Sequence, residues 1–205
     1  MEKSGSSSGS DRGGKAARTR DTILVAVADI VAAEGEAAVT TTAVAARAGM
    51  SVGAVYRYFA SREALLLGAY DAAVVELVET CRETLGTMPA DMPRDEAARR
   101  LLGAYLSAAE AQPAHAGLLR AMRALRPVEA DREADGGRIA DDLLAPFVRR
   151  YGQDAGPTTL RFLNALLGTL VDLYLVTDDP VERRRLRADI EAHILLALDR
   201  AGRRD

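Results

Sequence analysis

Few side chains in this sequence are of the kinds that do covalent or metal chemistry. Its 205 residues hold two histidines, His115 and His193, and one cysteine, Cys81. Two imidazoles far apart, with no carboxylates at ligand spacing, make no zinc site, and one thiol makes no disulfide within the chain. Gly5-Ser6-Ser7-Ser8-Gly9 has the letters of a nucleophile elbow, and Gly9 to Lys15 those of a phosphate-binding loop. The first needs a strand before it and a helix after it; the second needs Ser or Thr where Ala16 stands. Asp141, Asp142 and Asp172 belong to no organising motif. The sequence therefore reads as a non-enzyme, with no catalytic residue, cofactor or metal expected.

A different chemistry, contact with a polyanion, is written between residues 40 and 62. Two short apolar-patterned segments, TTAVAARA and VGAVYRYF, are joined by Gly49-Met50-Ser51, the layout of a helix-turn-helix whose second helix enters the major groove. Val44, Ala45, Ala48, Val55 and Phe59 supply a small core. Ser51, Gly53, Ala54, Tyr56, Arg57 and Tyr58 are left for the outside. Small residues at Gly53 and Ala54 let the backbone approach base edges, and the methyl of Ala54 suits a thymine methyl. Arg57, Tyr56 and Tyr58 offer donors to phosphate oxygens. Charge is distributed accordingly: residues 1–62 carry eight Lys/Arg against six acids, a net of +2, which leaves −5 for the remainder of a chain whose net charge is −3.

The run T-x-x-x-V-A-x-x-A-G-M-S-x-G-x-V-Y-R-Y-F-x-S-R-E-A-L, from Thr40 to Leu65, resembles the signature of the tetracycline-repressor (TetR) family of regulators. The resemblance in sequence covers about Thr19 to Tyr70. It implies operator contacts at Thr41, Ser51, Gly53, Ala54, Tyr56, Arg57, Tyr58 and Arg62. It also implies a homodimer and a ligand-binding body, so that a small-molecule effector and a double-stranded DNA operator are bound with opposite preference. A repressor released by its effector is the expectation; a helical adaptor or ligand-binding protein without DNA binding is the alternative. Val52 stands where members often carry Lys or Pro after the turn serine, which leaves affinity to lean on Lys15, Arg18 and Arg20.

The elements that must position these residues are helical. Only 4% of the chain is aromatic, and the abundant apolar residues are Ala, Leu and Val, which favour close-packed helices over sheets. Residues 1–17, rich in Gly and Ser, read as a flexible basic tail. Helical periodicity with capping signals predicts segments at about 20–34, 40–48, 51–59 and 61–84, with Thr19 capping the first. Further segments are predicted at about 94–111, 114–125, 137–151, 157–176 and 180–200, with Pro113, Pro127 and Gly136-Gly137 at borders. The expected architecture is all-α, about nine helices: a three-helix helix-turn-helix domain at 18–62 and a helical effector-binding and dimerisation domain at 63–205. Leu160, Leu163, Leu167, Leu170 and Tyr174 predict a homodimer face within residues 157–200. Tyr105, Met122, Phe147, Phe162 and Asn164, polar or aromatic interruptions of apolar faces, are the candidate ligand contacts. His193 is expected in a core or interface, His115 in a solvated or pocket position, and Cys81 in inert packing. No run is long and apolar enough to span a membrane, and no signal-peptide core precedes Lys15, so a cytoplasmic location is expected.

Overall fold

The computed structural model describes residues 8–126, 139–151 and 157–202, and nine α-helices lie among them, with no strand. The first helix, α1 (Ser8–Glu34), buries Ile23, Val27 and Ile30 at i, i+4 and i+7. Gly35 then stops it in the left-handed region, φ 84°, where a side chain would be strained. The tail expected over residues 1–17 is helical from Ser8 on. Lys15, Ala16, Ala17 and Arg18 are good helix formers, and they extend a helix that Ile23 onward already anchors. Thr19 does not cap the start: its hydroxyl donates back to the Lys15 carbonyl at 2.9 Å, as that of Thr22 does to Arg18.

A single 3₁₀ turn (Glu36–Ala38) leads into α2 (Thr41–Arg47) and α3 (Val52–Tyr56). Then come α4 (Arg62–Thr87), α5 (Arg94–Glu110) and α6 (His115–Leu125). The segment expected as one helix at 137–151 divides into a wider π-helical turn (Ala140–Leu144) and α7 (Ala145–Tyr151). Pro127 and Gly136-Gly137 lie outside the described residues. The chain ends with α8 (Pro157–Val176) and α9 (Pro180–Gly202).

Helix α4 belongs to both halves. Its first turns seal the N-terminal core under α1, and its remaining length packs on α5 and α6. Leu77, Cys81, Leu106, Leu118, Leu119 and Met122, each almost fully buried, form the centre of the body. Helices α8 and α9 lie side by side against α5 and α6. The apolar stripe of α8 divides between two faces. Leu163 and Tyr174 turn into the chain's own core, and the Tyr174 hydroxyl donates to Glu110 at 2.6 Å. Phe162 and Leu173 are 58% and 47% exposed, and Leu196 of α9 is 49% exposed.

The two histidines are placed differently. His115 is neither solvated nor at a pocket mouth: it is 2% exposed, with its ring 6.1 Å from that of Tyr70. The cause is tertiary, since α6 lays this face against α1 and α4. His193 lies on the outside of α9, its Nδ1 2.7 Å from the Asp189 carbonyl oxygen.

Candidate nucleic-acid interface

The helix-turn-helix is built by three hydroxyl caps and one glycine. Thr40 accepts from the Ala43 amide at 3.1 Å, starting α2. Ser51 accepts from Ala54 at 3.2 Å, starting α3, and Ser61 does the same for Ala64 at the head of α4. Each satisfies an amide that the first turn of a helix leaves without an intrahelical partner. Between α2 and α3, Gly49 takes φ 65° and the Met50 amide reaches back to the Ala45 carbonyl at 2.9 Å. That reversal sets α3 across α2, with Val44, Ala45, Val55 and Phe59 buried between them.

The outward side of α3 carries the residues its sequence pattern marks. Ser51, Gly53, Tyr56 and Arg57 are exposed, Tyr56 by 54%, while Ala54, Tyr58 and Thr41 are half-buried. A Cβ on Gly53 would meet nothing within 4 Å, so packing within the chain does not require glycine there. Arg57 makes no ion pair or side-chain hydrogen bond among the described residues. Val52, which reads in sequence only as a missing contact, is 37% exposed one turn before Tyr56, and the two make an apolar strip on the outer side of α3. The i, i+4 spacing was the signal that would have found it.

Arg62 faces inward. Its Nε donates to the Val39 carbonyl at 2.8 Å and its Nη2 to that of Glu36 at 2.6 Å, which locks the 3₁₀ turn onto the start of α4. One residue on, the Ser61 hydroxyl and Glu63's own amide hold the Glu63 carboxyl below the ordinary range. Of the basic residues ahead of the motif, Lys15 and Arg18 are exposed, and the Arg20 guanidinium lies 5.1 Å above the Phe59 ring.

Of the five candidate ligand residues in the body, Met122 and Phe147 belong to one buried core and Tyr105 packs against it. Tyr105 sits near Arg123 and Asp172, and burial first, then the Asp172 charge, pushes its hydroxyl above the ordinary tyrosine range. Arg123 donates through Nε to Asp172 at 2.6 Å. Met122 is buried beneath, Phe147 packs 5.5 Å from Tyr151, Asn164 is half-buried, and Phe162 is on the outside. A recess of about 380 Å³ opens between α4 and the π-helical turn, lined by Val75, Val78, Glu79, Arg82 and Asp142. Burial pushes the Cys81 thiol up to about 12, which leaves it unreactive. Among the described residues no group of three His, Cys, Asp or Glu could hold a metal ion, and no helix is long and apolar enough to cross a membrane.

Residues 23–69 match the family model of the bacterial regulatory proteins, tetR family. No curated protein matches the chain. Solved structures similar in fold include the TetR family repressor AlkX of Dietzia sp. strain DQ12-45-1b, at 17% identity and TM-score 0.63, with 91% of this chain and 99% of that one covered. A putative transcriptional regulator from Streptomyces coelicolor A3(2) matches at 25% identity and TM-score 0.61, over 88% and 98% of the two chains. The multidrug binding protein EbrR, complexed with imidazole, matches at 22% identity and TM-score 0.64, over 88% and 90%.

Proposed function

We propose that this chain, which carries the N-terminal domain of the tetR family of bacterial regulatory proteins on a TetR-like all-helical fold, is a DNA-binding transcriptional repressor that a small molecule releases from its operator. One observation carries the reading. Helix α3 is fixed from behind by Val55, Phe59 and the Ser51 cap, and its outward side offers backbone at Gly53, an apolar strip at Val52 and Tyr56, and at Arg57 a cation that no described residue pairs. That is a surface for a groove: close approach at the glycine, methyl contact along the strip and phosphate contact at its end.

Two copies are needed to read a palindrome. Phe162, Leu173 and Leu196, exposed on α8 and α9, are the apolar residues a two-fold would cover as a four-helix bundle. Reading heads one DNA turn apart, about 34 Å, would then meet successive major grooves. Effector control runs through α4, whose 26 residues span about 39 Å, so that a small tilt in the body moves α3 by ångströms. A hundredfold loss of operator affinity needs about 2.7 kcal/mol of coupling. Gly68 lets this lever pack closely on the head, because a Cβ there would lie 2.8 Å from Phe59 and 3.2 Å from Leu24. The small-molecule partner is supported by the half-buried Tyr105, Arg123 and Asp172 group, and by the fold shared with a multidrug binding protein.

Selection of binding sites from a random duplex library by the purified protein is the direct test. A roughly palindromic site whose affinity falls steeply with salt is expected. A chain that retains no duplex even at low salt would leave the adaptor reading instead. Screening small molecules for release of the selected operator then tests the effector.

A further inference from the structure

Residues 13–20 of α1 read GGKAARTR, three basic residues and no acid. They continue the helix whose apolar stripe at Ile23, Val27 and Ile30 seats the reading head. The same stripe, followed toward the N-terminus, reaches Arg20 and then Ala16. Arg20 closes the end of the core through its guanidinium over Phe59. Ala16, one turn further, is exposed, and so is every residue from 13 to 18. The helix therefore runs on past its own support, by about 10 Å from Arg20 to Gly13.

Helix propensity at Lys15 to Arg18 favours this extension, but no burial supports residues 13–18 among the described residues. A helix that buries no face is marginal in water, and Gly13 and Gly14 each cost it about 1 kcal/mol against Ala. Neither glycine is required by close packing, since a Cβ on either would meet nothing within 4 Å. Lys15 and Arg18 form no ion pair among the described residues.

The direction of the extension is fixed by its other end. At Val31 α1 meets Gly117 of α6, and Glu36 just beyond it pairs with Arg120 at 3.8 Å, so this end faces the body. The free end points away from the body and leaves the head at Phe59, three residues after Tyr56 of the reading helix. We propose that residues 13–20 form a second DNA contact, in which Lys15 and Arg18 bind phosphates flanking the groove read by α3, while Arg20 holds the extension to the head. A second copy of the chain would bring the same positive charge to this surface and be repelled. The inference rests on the DNA-binding reading above.

The test uses the full chain, an operator duplex selected from the random library and a scrambled duplex of the same length, titrated over a series of salt concentrations. The Lys15→Gln, Arg18→Gln double variant should bind both duplexes roughly tenfold more weakly at 0.1 M salt, and its slope of log affinity against log salt should flatten by about 1.8, two contacts at 0.9 each. Its melting temperature should match wild type, because the replaced side chains touch no core residue. Amides of residues 13–18 should exchange fast in the free protein and slowly on DNA. An unchanged salt slope, or a lowered melting temperature that accounts for the weaker binding, overturns the second contact alone. A wild-type chain that binds neither duplex overturns the DNA reading and this inference with it.

Discussion

Both ends of α4 are tied down by an arginine that donates to backbone carbonyls, but the two ties are made differently. In the head, Arg62 of α4 itself reaches the carbonyls of Val39 and Glu36, with every group drawn from 27 consecutive residues. In the body, Arg150 of α7 donates to Leu85 at 2.8 Å and also to Met88, at the far end of α4, over 60 residues away in sequence. The contrast extends to the polar groups around each end. The head satisfies its helix ends with local hydroxyl caps at Thr40, Ser51 and Ser61, whereas the body buries His115 with its Nδ1 meeting no hydrogen-bond partner among the described residues. A locally wired domain holds its shape whatever the rest does. A domain wired over long range has a shape that a ligand can alter.

The sharpest break between the two regions is expected at Gly53. Gly53→Trp should hold the backbone off the groove and cost specific binding thousandfold or more, about 4 kcal/mol, by gel shift on the selected operator. Its melting temperature should not move, because the new side chain meets open space. Wild-type affinity in this variant would remove α3 from the groove.

In the body, the largest effect belongs to His115. Burial holds its imidazole down at about 4 instead of the ordinary 6.5, so the folded chain keeps it neutral while the unfolded chain takes up a proton. Stability is therefore full above pH 6.5, falls as pH drops toward 4, and loses about 3 kcal/mol across that window. His115→Phe should remove that part of the slope. Urea melts at pH 7 and pH 4.5 check it; equal slopes in wild type and variant would show that the ring ionises freely in the fold.

A smaller effect probes the seam where the regions meet. A Cβ on Gly117 would lie 2.6 Å from Val31 Cγ1, so Gly117→Ala should cost about 2 kcal/mol by overpacking. Val31→Ala in the same chain should give back about 1 kcal/mol, a coupling that urea denaturation of the double-mutant cycle would read. Strictly additive costs would mean that α6 slides off α1 freely.

The smallest effect is local again. Ser51→Ala removes the cap on α3 and should lower stability by about 1 kcal/mol, with operator affinity falling further than stability, because the first turn of the reading helix frays. Equal losses would mean that the cap serves the fold alone.

The reading head was legible because its signals are short-range. Caps at Thr40, Ser51 and Ser61, left-handed glycines at Gly35 and Gly49, and the spacing of Val44, Val55 and Phe59 each act within a few residues, so sequence alone places α2, α3 and the start of α4. Helix ends were less so: α3 closes at Tyr56 rather than Phe59, where packing on α1 and Gly68 fixes the phenyl ring instead of helical pairing. Periodicity also gave the body its helices, since an apolar stripe of period 3.6 is intrinsic to the chain.

What the stripe faces is not. Leu163 and Phe162 are equally apolar neighbours on α8, yet one is buried and the other is 58% exposed. His115 and His193 both sit on patterned helices, and only the placement of α6 against α1 and α4 buries the first. The sequence by itself determined an all-helical chain and the composition of its reading helix, because hydrogen bonding and capping within a helix depend on residues near in sequence. The tertiary structure decided which faces meet, that α1 outruns its core, and that Arg62 turns inward, because burial depends on residues that only the folded chain brings together.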